Sequence, residues 1–205
     1  NVVGGFPIRY VNVPIDVLRQ AATASIDGDK PVWFGCDVGK SMQREHGLLD
    51  TNMYDFKSAF GTEFGMDKKT RLLYGESLMT HAMVLTAYDR EQAEGVGAGG
   101  AAAGGGEAKA DDEGSEEGTQ KKKKKELNAP AGGSGAIRAW RVENSWGTDK
   151  ADKGYLSMTD EWFGEWVYQV AVDRAILDPK IVAVLDTEAI ALPAWDPMGA
   201  LAKSM

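Results

Sequence analysis

Two polar residues, His81 and Asn144, interrupt segments of the chain that are otherwise apolar on one face. Because a strand sends alternate side chains to the same side, His81 would share its side with three apolar residues, Met79, Met83 and Leu85. By the same parity, Asn144 would lie beside Trp140 and Val142. A polar group on a core-facing surface costs roughly 1–3 kcal/mol when it has no hydrogen-bond partner. We therefore predict that His81 and Asn144 face each other, an arrangement in which an imidazole can act as a base.

For single residues, two interpretations of this pair remain open. His81 could be a core histidine whose hydrogen bonds are satisfied, and Asn144 could be a turn residue before Gly147. The string Asn144-Ser145-Trp146-Gly147 at a strand end, downstream of a histidine on another strand, favours the catalytic interpretation. It resembles the Asn-Ser-Trp-Gly signature of the papain-like thiol proteases.

That resemblance implies a role for both residues and for the tryptophan that follows them. His81 would be the acid/base partner of a cysteine, the Asn144 oxygen would hold the imidazole in the useful tautomer, and Trp146 would cover their hydrogen bond. A thiol has a reference pKa of about 8.5, and an adjacent imidazolium lowers it so that thiolate is abundant near neutral pH. His81 would stabilise that thiolate and later protonate the leaving amine.

The resemblance extends over most of the chain outside one insertion. Six strings occur in the order found in the bleomycin hydrolase family, namely residues 31–40, 75–83, 141–147, 154–156, 158–163 and 192–203. Similarity to this family of papain-like cysteine peptidases implies an α+β, papain-like cysteine proteinase fold. Residues 1–205 would be the C-terminal part of the peptidase domain, an antiparallel half-barrel with flanking helices.

The same resemblance implies a cytoplasmic cysteine-type aminopeptidase that hydrolyses peptide or aminoacyl-amide substrates and assembles as a homohexamer. A papain-like enzyme carries its nucleophilic cysteine and an oxyanion-hole glutamine upstream of the histidine. No glutamine followed by Cys-Trp precedes His81. We therefore expect the nucleophile on an N-terminal part of the same polypeptide, and we expect this segment alone to be inactive.

The single cysteine of the chain, Cys36, does not suit the role of nucleophile. It lies in the apolar run Val32–Val38, which predicts a buried strand. The neighbouring Asp37 would raise the pKa of the thiol, whereas a nucleophile needs a lowered one. Cys36 is thus predicted to be a structural, unreactive thiol.

Composition argues against several classes of partner. The net charge of −8 argues against general affinity for nucleic acid or for anionic membranes. No apolar stretch reaches the ~18 residues of a membrane span. His46, the other histidine, has no companions at ligand spacing, so neither a metal nor another cofactor is expected.

Residues 94–136 form a low-complexity insertion between the two site segments. They consist mainly of glycine, alanine, serine and charged residues, and include five consecutive lysines, Lys121–Lys125. Such a composition cannot offset its ordering entropy, so we predict a disordered surface loop. Because the cost of loop closure grows only logarithmically with length, the two strands can still be neighbours. The alternative function, a non-catalytic pseudo-protease or interaction protein, would use this charged insertion.

Residues 192–205 are predicted to form an extended arm. Pro193, Pro197 and Gly199 disfavour a helix or a central strand. Family resemblance implies that the arm lies in the active-site cleft and that its terminal carboxylate receives the α-amino group of the substrate. The cleft residues would be Gly199, Ala200, Leu201, Ala202 and Lys203. Ser204 and Met205 depart from the usual ending, so either the end is trimmed or the arm sits differently.

Local patterns predict the other elements. A helix is expected at Pro14–Ala22, with proline in its first turn, and short helices are expected at Ser41–His46 and Tyr54–Phe60. Further along, we expect a strand at Gly154–Met158, an N-capped helical turn at Thr159–Phe163 and a strand at Trp166–Val172.

Overall fold

The structure is a computed structural model, and it describes residues 3–5, 9–91 and 135–198. The strands are β1 (Val32–Cys36), β2 (Met42–Gln43), β3 (Leu48–Leu49), β4 (His81–Arg90), β5 (Ile137–Glu143), β6 (Tyr155–Thr159) and β7 (Val167–Ala171). The helices are α1 (Ile15–Asp27), α2 (Phe56–Phe60), α3 (Lys68–Leu73), α4 (Asp160–Trp166) and α5 (Pro179–Val184), with a 3₁₀ turn at Arg174–Ile176. None of the helices in these ranges is long and apolar enough to cross a membrane.

The seven strands form one half-barrel sheet in the order β2-β3-β6-β5-β4-β1-β7. Neighbours are antiparallel except for β3 and β6, which pair in parallel. The two long strands β4 and β5 are therefore direct neighbours, with Leu85 opposite Val142 and Val84 opposite Glu143. This pairing brings the end of β5 to the beginning of β4.

The core lies on one face of this sheet. Every second residue of β1 is buried, whereas Trp33 between them is 61% exposed. The same alternation buries Met83 and Leu85 on β4, and the fully buried core side chains also include Trp140, Val142, Met158, Trp162 and Phe163. Each large apolar side chain that is removed from water contributes roughly 1.5–3 kcal/mol. The buried positions thus select one face of each strand and determine the parity of His81 and Asn144.

Helices α1 and α4 cover the core face. The buried face of α1 is built from small residues, Ala21 and Ala22, which let the helix approach β1 and β4 closely. Helix α4 begins at Thr159, whose hydroxyl accepts a hydrogen bond from the Trp162 amide at 3.3 Å. Trp162 is fully buried, and its indole donates to the carbonyl of Lys40 at 2.8 Å. The predicted N-cap at Thr159 is confirmed.

Two predictions about local structure were wrong. Residues 41–46 are not a helix but contain β2 and a turn that leads to β3, because Gly47 has a left-handed φ of +65° that closes a hairpin. The strand that carries His81 begins at that residue and not at Met79. Three of the preceding residues, Ser77, Leu78 and Thr80, hydrogen-bond to the buried carboxylate of Asp37, as described below.

Some predictions fall on residues outside the described ranges. These are almost all of the 94–136 insertion and the last part of the C-terminal arm, residues 199–205. Within the described part of that arm, the side chain of Trp195 is exposed to solvent.

Candidate active site

The structure brings His81 and Asn144 together, as the sequence predicts. His81 is the first residue of β4 and Asn144 directly follows β5, so the antiparallel pairing of the two strands places them side by side. The Nε2 atom of His81 lies 2.9 Å from the Oδ1 atom of Asn144. Both side chains are partly buried. This contact gives His81 Nε2 and Asn144 Oδ1 a partner, whereas the buried Nδ2 atom of Asn144 has no hydrogen-bond partner among the described residues.

The hydrogen bonds around Asn144 determine which nitrogen of His81 carries the proton. The backbone amide of Ser145, which can only donate, lies 2.8 Å from the same Oδ1 atom. That atom must therefore be the oxygen of the carboxamide and not its nitrogen. Because an oxygen without hydrogen accepts only, His81 Nε2 is the donor. In the neutral ring, Nδ1 is then the unprotonated nitrogen, and it can accept a proton.

An aromatic residue packs on this hydrogen-bonded pair. The ring of Trp146 lies with its centroid 5.5 Å from that of His81, and the two planes are inclined by 31°. On the same indole, the guanidinium carbon of Arg44 lies 5.3 Å from the ring centroid. The indole shields one side of the imidazole from water, which strengthens the hydrogen bond to Asn144 and restricts rotation of the ring.

Two glycines shape the turn that carries Asn144. The Asn144 amide donates to the carbonyl of Gly154 at 3.0 Å, which closes the loop from the end of β5 to the start of β6. Gly154 has a φ of +90°, and a Cβ atom there would lie 3.1 Å from the carbonyl oxygen of Gly147. Gly147 also has a positive φ, of +92°. Both positions thus favour glycine, and the closed loop fixes the backbone from which the carboxamide projects.

A buried carboxylate holds the segment that leads into His81, and sequence reasoning missed it. Asp37, which directly follows β1, is only 5% exposed. Its carboxylate accepts hydrogen bonds from Ser77 Oγ at 2.9 Å, from the Leu78 amide at 3.4 Å and from Thr80 Oγ1 at 3.3 Å. Three donors from residues 77–80 thus converge on one side chain immediately before the histidine.

Two further contacts hold the segment that leads into His81. The hydroxyl of Tyr168 on β7 donates to Ser77 Oγ at 2.6 Å, so the serine both accepts and donates. The Thr80 amide donates to the carbonyl of Cys36 at 2.9 Å. The start of β4 is therefore tied to β1 and β7 by side-chain as well as backbone hydrogen bonds. The alternation of apolar residues that reveals His81 carries no information about such contacts between distant positions.

Comparison with known proteins shows the family of this chain. The profile of the Peptidase C1-like family matches residues 1–97 and 127–199. The chain belongs to the peptidase C1-like family. It is 45% identical to bleomycin hydrolase from Homo sapiens over 204 residues, and 38% identical to aminopeptidase C from Lactococcus lactis subsp. cremoris over 202 residues. The predicted resemblance to bleomycin hydrolase is confirmed.

A solved structure supports the fold assignment of this peptidase C1-like chain. PepW from Lactobacillus rhamnosis HN001 superposes with a TM-score of 0.75 and 36% sequence identity, and the match covers 98% of this chain and 36% of PepW. The predicted α+β, papain-like fold is confirmed. The matches to bleomycin hydrolase and aminopeptidase C cover 99% and 98% of this chain, but only 36% and 37% of those relatives. The chain thus spans about a third of their length.

Cys36 lies next to the candidate site but is not available for its chemistry. In the pairing of β1 with β4, Cys36 is directly opposite His81, on the core side of the sheet. It is fully buried, and burial, together with the negative charge of Asp37, raises the pKa of the thiol to about 12. A thiol in this state is neither accessible nor ionised near neutral pH. The structure agrees with the expectation that Cys36 is structural.

The remaining candidate residues are not part of this cluster. His46 is exposed in the turn between β2 and β3. Among the described residues, no group of three or more histidine, cysteine or acidic side chains could hold a metal ion. The predicted cleft residues of the arm, Gly199 to Lys203, lie outside the described ranges.

Proposed function

We propose that this chain is the C-terminal part of a cysteine-type aminopeptidase, similar to bleomycin hydrolase, that hydrolyses peptide and amide bonds by a Cys-His-Asn mechanism. In this proposal His81 is the acid/base residue, Asn144 orients it and Trp146 shields their contact. The cysteine belongs to an N-terminal part of the same polypeptide. The observation that carries the proposal is the 2.9 Å contact between His81 Nε2 and Asn144 Oδ1, which leaves Nδ1 able to accept a proton.

In this mechanism a single atom, His81 Nδ1, takes part in each proton transfer, and the contact between Nε2 and Asn144 Oδ1 supports that role. The thiol of the N-terminal part transfers its proton to His81 Nδ1, and the resulting thiolate forms a bond to the carbonyl carbon of the substrate. When the C–N bond breaks, the same Nδ1 delivers that proton to the leaving amine. A water molecule then gives a proton to Nδ1 and attacks the thioester, which releases the carboxylic acid and regenerates the thiol. Asn144 Oδ1 accepts the hydrogen bond from Nε2–H throughout and takes no part in proton transfer.

The proposal extends to substrate, assembly and location. The names aminopeptidase C and bleomycin hydrolase support peptides and aminoacyl amides as substrates. We further propose that the arm at residues 199–203 restricts cleavage to the N-terminal residue, because trimming of Ser204 and Met205 would leave a terminal carboxylate on Lys203 that binds the ammonium group of the substrate. We also propose that the protein forms a homohexamer in the cytoplasm. This part of the proposal is based on the family resemblance alone.

The test compares two histidine substitutions in the full-length protein. His81→Ala should lower kcat/KM on an aminoacyl amide by about 10²- to 10⁴-fold, because it removes the general acid and base. His46→Ala, at the exposed turn histidine, is the matched control and should keep the wild-type value. Undiminished turnover by His81→Ala, or an equal loss in both variants, would refute the assignment.

A further inference from the structure

Arg44 presents a positive charge beside the candidate active site. It lies in the turn between β2 and β3, its side chain is exposed, and its guanidinium carbon is 5.3 Å from the Trp146 ring centroid. Within the described ranges, Arg44 forms no ion pair with a carboxylate. We propose that Arg44 determines specificity and favours substrates that carry a carboxylate on the leaving side of the scissile bond. This inference rests on the proposed peptidase function.

The position of the general acid defines the leaving side. The nitrogen of the scissile bond must come within hydrogen-bond reach of His81, because it receives its proton from there. The residues that follow the scissile bond therefore extend from the imidazole. Trp146 packs against that imidazole, so its indole lies beside the start of the leaving peptide. A charge that packs on the same indole is therefore within reach of this peptide.

The distances limit how far along the leaving peptide Arg44 can act. The separations of 5.5 Å from His81 to Trp146 and 5.3 Å from Trp146 to Arg44 add to an upper limit of 10.8 Å between imidazole and guanidinium. An extended peptide advances about 3.3–3.6 Å per residue. Arg44 is therefore within reach of the first three residues of the leaving peptide. Either an acidic side chain or the terminal carboxylate of a short peptide could bind there.

The local structure holds the backbone that carries Arg44 in place. The turn that carries Arg44 is closed by a hydrogen bond of 2.6 Å from the His46 amide to Gln43 Oε1. Gly47, which follows, is buried against Ala151. A guanidinium that lies over an indole ring can still direct N–H groups outward and bind a carboxylate with two parallel hydrogen bonds. Lysine would retain the charge but lose this planar geometry.

The size of the effect follows from the exposure of the site. Exposed ion pairs contribute little, so we expect a preference of about two- to tenfold in kcat/KM. The screening length falls from about 30 Å at 0.01 M salt to about 3 Å at 1 M salt, so the preference should shrink as the salt concentration rises. A preference produced by apolar contacts would not respond in this way.

The experiment uses the full-length protein and two peptides that differ only in the residue after the scissile bond, glutamate in one and glutamine in the other. The quantity measured is the ratio of their kcat/KM values. The wild type should prefer the glutamate peptide about two- to tenfold, Arg44→Gln should lower the ratio to about one, and Arg44→Lys should keep part of it. Arg138→Gln, at an exposed arginine near the opposite end of β5, should keep the wild-type ratio.

Several outcomes would overturn this inference. They are a wild-type ratio of one, a ratio that Arg44→Gln leaves unchanged, and an equal loss in Arg138→Gln. An aminoacyl anilide, whose leaving group has no carboxylate, reports on the proposed function separately. Turnover of the anilide without a glutamate preference would refute only the role of Arg44. Absence of anilide turnover in the wild type would refute the proposed function and this role with it.

Discussion

At the scale of single residues, the side-chain oxygen of Asn144 determines which nitrogen of His81 carries the proton. It accepts from both the Ser145 amide and His81 Nε2, which leaves Nδ1 as the proton acceptor. The carboxamide of Asn144 thus holds the imidazole ring in one orientation and one tautomer. Its removal would free the imidazole to rotate about its side-chain torsions and to adopt the other tautomer.

The prediction for Asn144 concerns turnover and not binding. In the full-length protein, Asn144→Ala should lower kcat by about 10- to 100-fold, because a misplaced ring cannot transfer its proton efficiently. KM should change by less than about twofold, since the carboxamide does not contact the substrate in this mechanism. Steady-state kinetics on an aminoacyl amide would check this, with Asn52→Ala at an exposed turn as control. A rise in KM at constant kcat would contradict the orienting role.

His81, Asn144 and Trp146 could be predicted from the sequence because each of them carries a local signal. His81 and Asn144 are polar at positions where the alternation requires apolar side chains, and Trp146 belongs to a recognisable string. Asp37 carries no such signal, because a lone acidic residue after a strand resembles an ordinary strand end. Its partners lie 40 to 43 residues further along the chain, and only the fold brings them to it.

At the scale of secondary-structure elements, the start of β4 depends on the Asp37 carboxylate. Asp37→Ala would leave the buried Ser77 hydroxyl and its neighbours without their acceptor, so it should lower the free energy of unfolding by about 1–3 kcal/mol. Asp37→Asn keeps one acceptor oxygen and should cost less. Urea unfolding of both variants would check the order. If Asp37→Ala were as stable as the wild type, the hydrogen bonds to Asp37 would not contribute to stability.

Lys68 joins α3 to the end of α4. Its ammonium group donates to the carbonyls of Gly164 at 2.8 Å and Val167 at 2.5 Å, and it lies 5.0 Å from the centroid of the Tyr168 ring. Burial lowers the pKa of Lys68 from 10.5 to about 8. A lowered pKa means that the folded state loses this proton before the unfolded chain does.

The lowered pKa of Lys68 should make the stability of the protein depend on pH. Between about pH 8 and 10.5 the unfolded state binds more protons at Lys68 than the folded state does, so stability should rise with pH in this interval. The contribution is at most about 3 kcal/mol. Urea unfolding of the wild type and Lys68→Met at pH 7.5, 8.5 and about 10 would show a smaller rise in the variant. Parallel pH profiles for the two proteins would contradict the assignment.

The strength of the local pattern explains which elements could be predicted. The helix at Ile15–Asp27 and the strands β1, β6 and β7 carry proline, capping or apolar signals over several residues, and they were found to within a few residues at one or both ends. Strands β2 and β3 have two residues each, which is too short for any periodicity. Their hairpin depends on the positive φ of Gly47 and on its packing, which no local pattern specifies.

At the scale of the whole molecule, the chain corresponds to only part of the length of its relatives. It spans 36% of human bleomycin hydrolase, and the match covers nearly all of its own length. Its own cysteine is buried with a raised pKa. In the proposed mechanism His81 and Asn144 are the base and the orienting residue, and the thiol would be supplied by an N-terminal part of the same polypeptide.

Expression of residues 1–205 alone tests this division. The isolated segment should show no turnover of aminoacyl amides, because Cys36 is the single cysteine of the chain and its thiol is inaccessible. Assays at the concentrations used for the full-length protein would check this, with circular dichroism as the control for folding. Turnover that Cys36→Ala abolishes would show that the buried thiol is the nucleophile after all.

The most direct measurement of the central claim is the rate at which iodoacetamide alkylates the full-length protein as a function of pH. With His81 present, one cysteine other than Cys36 should react well below the ordinary thiol pKa of about 8.5, because the imidazolium stabilises its thiolate. In His81→Ala the same cysteine should follow the ordinary profile, and mass spectrometry would identify it. Identical profiles in the two proteins, or no reactive cysteine in the wild type, would contradict the account and favour a non-catalytic interaction protein.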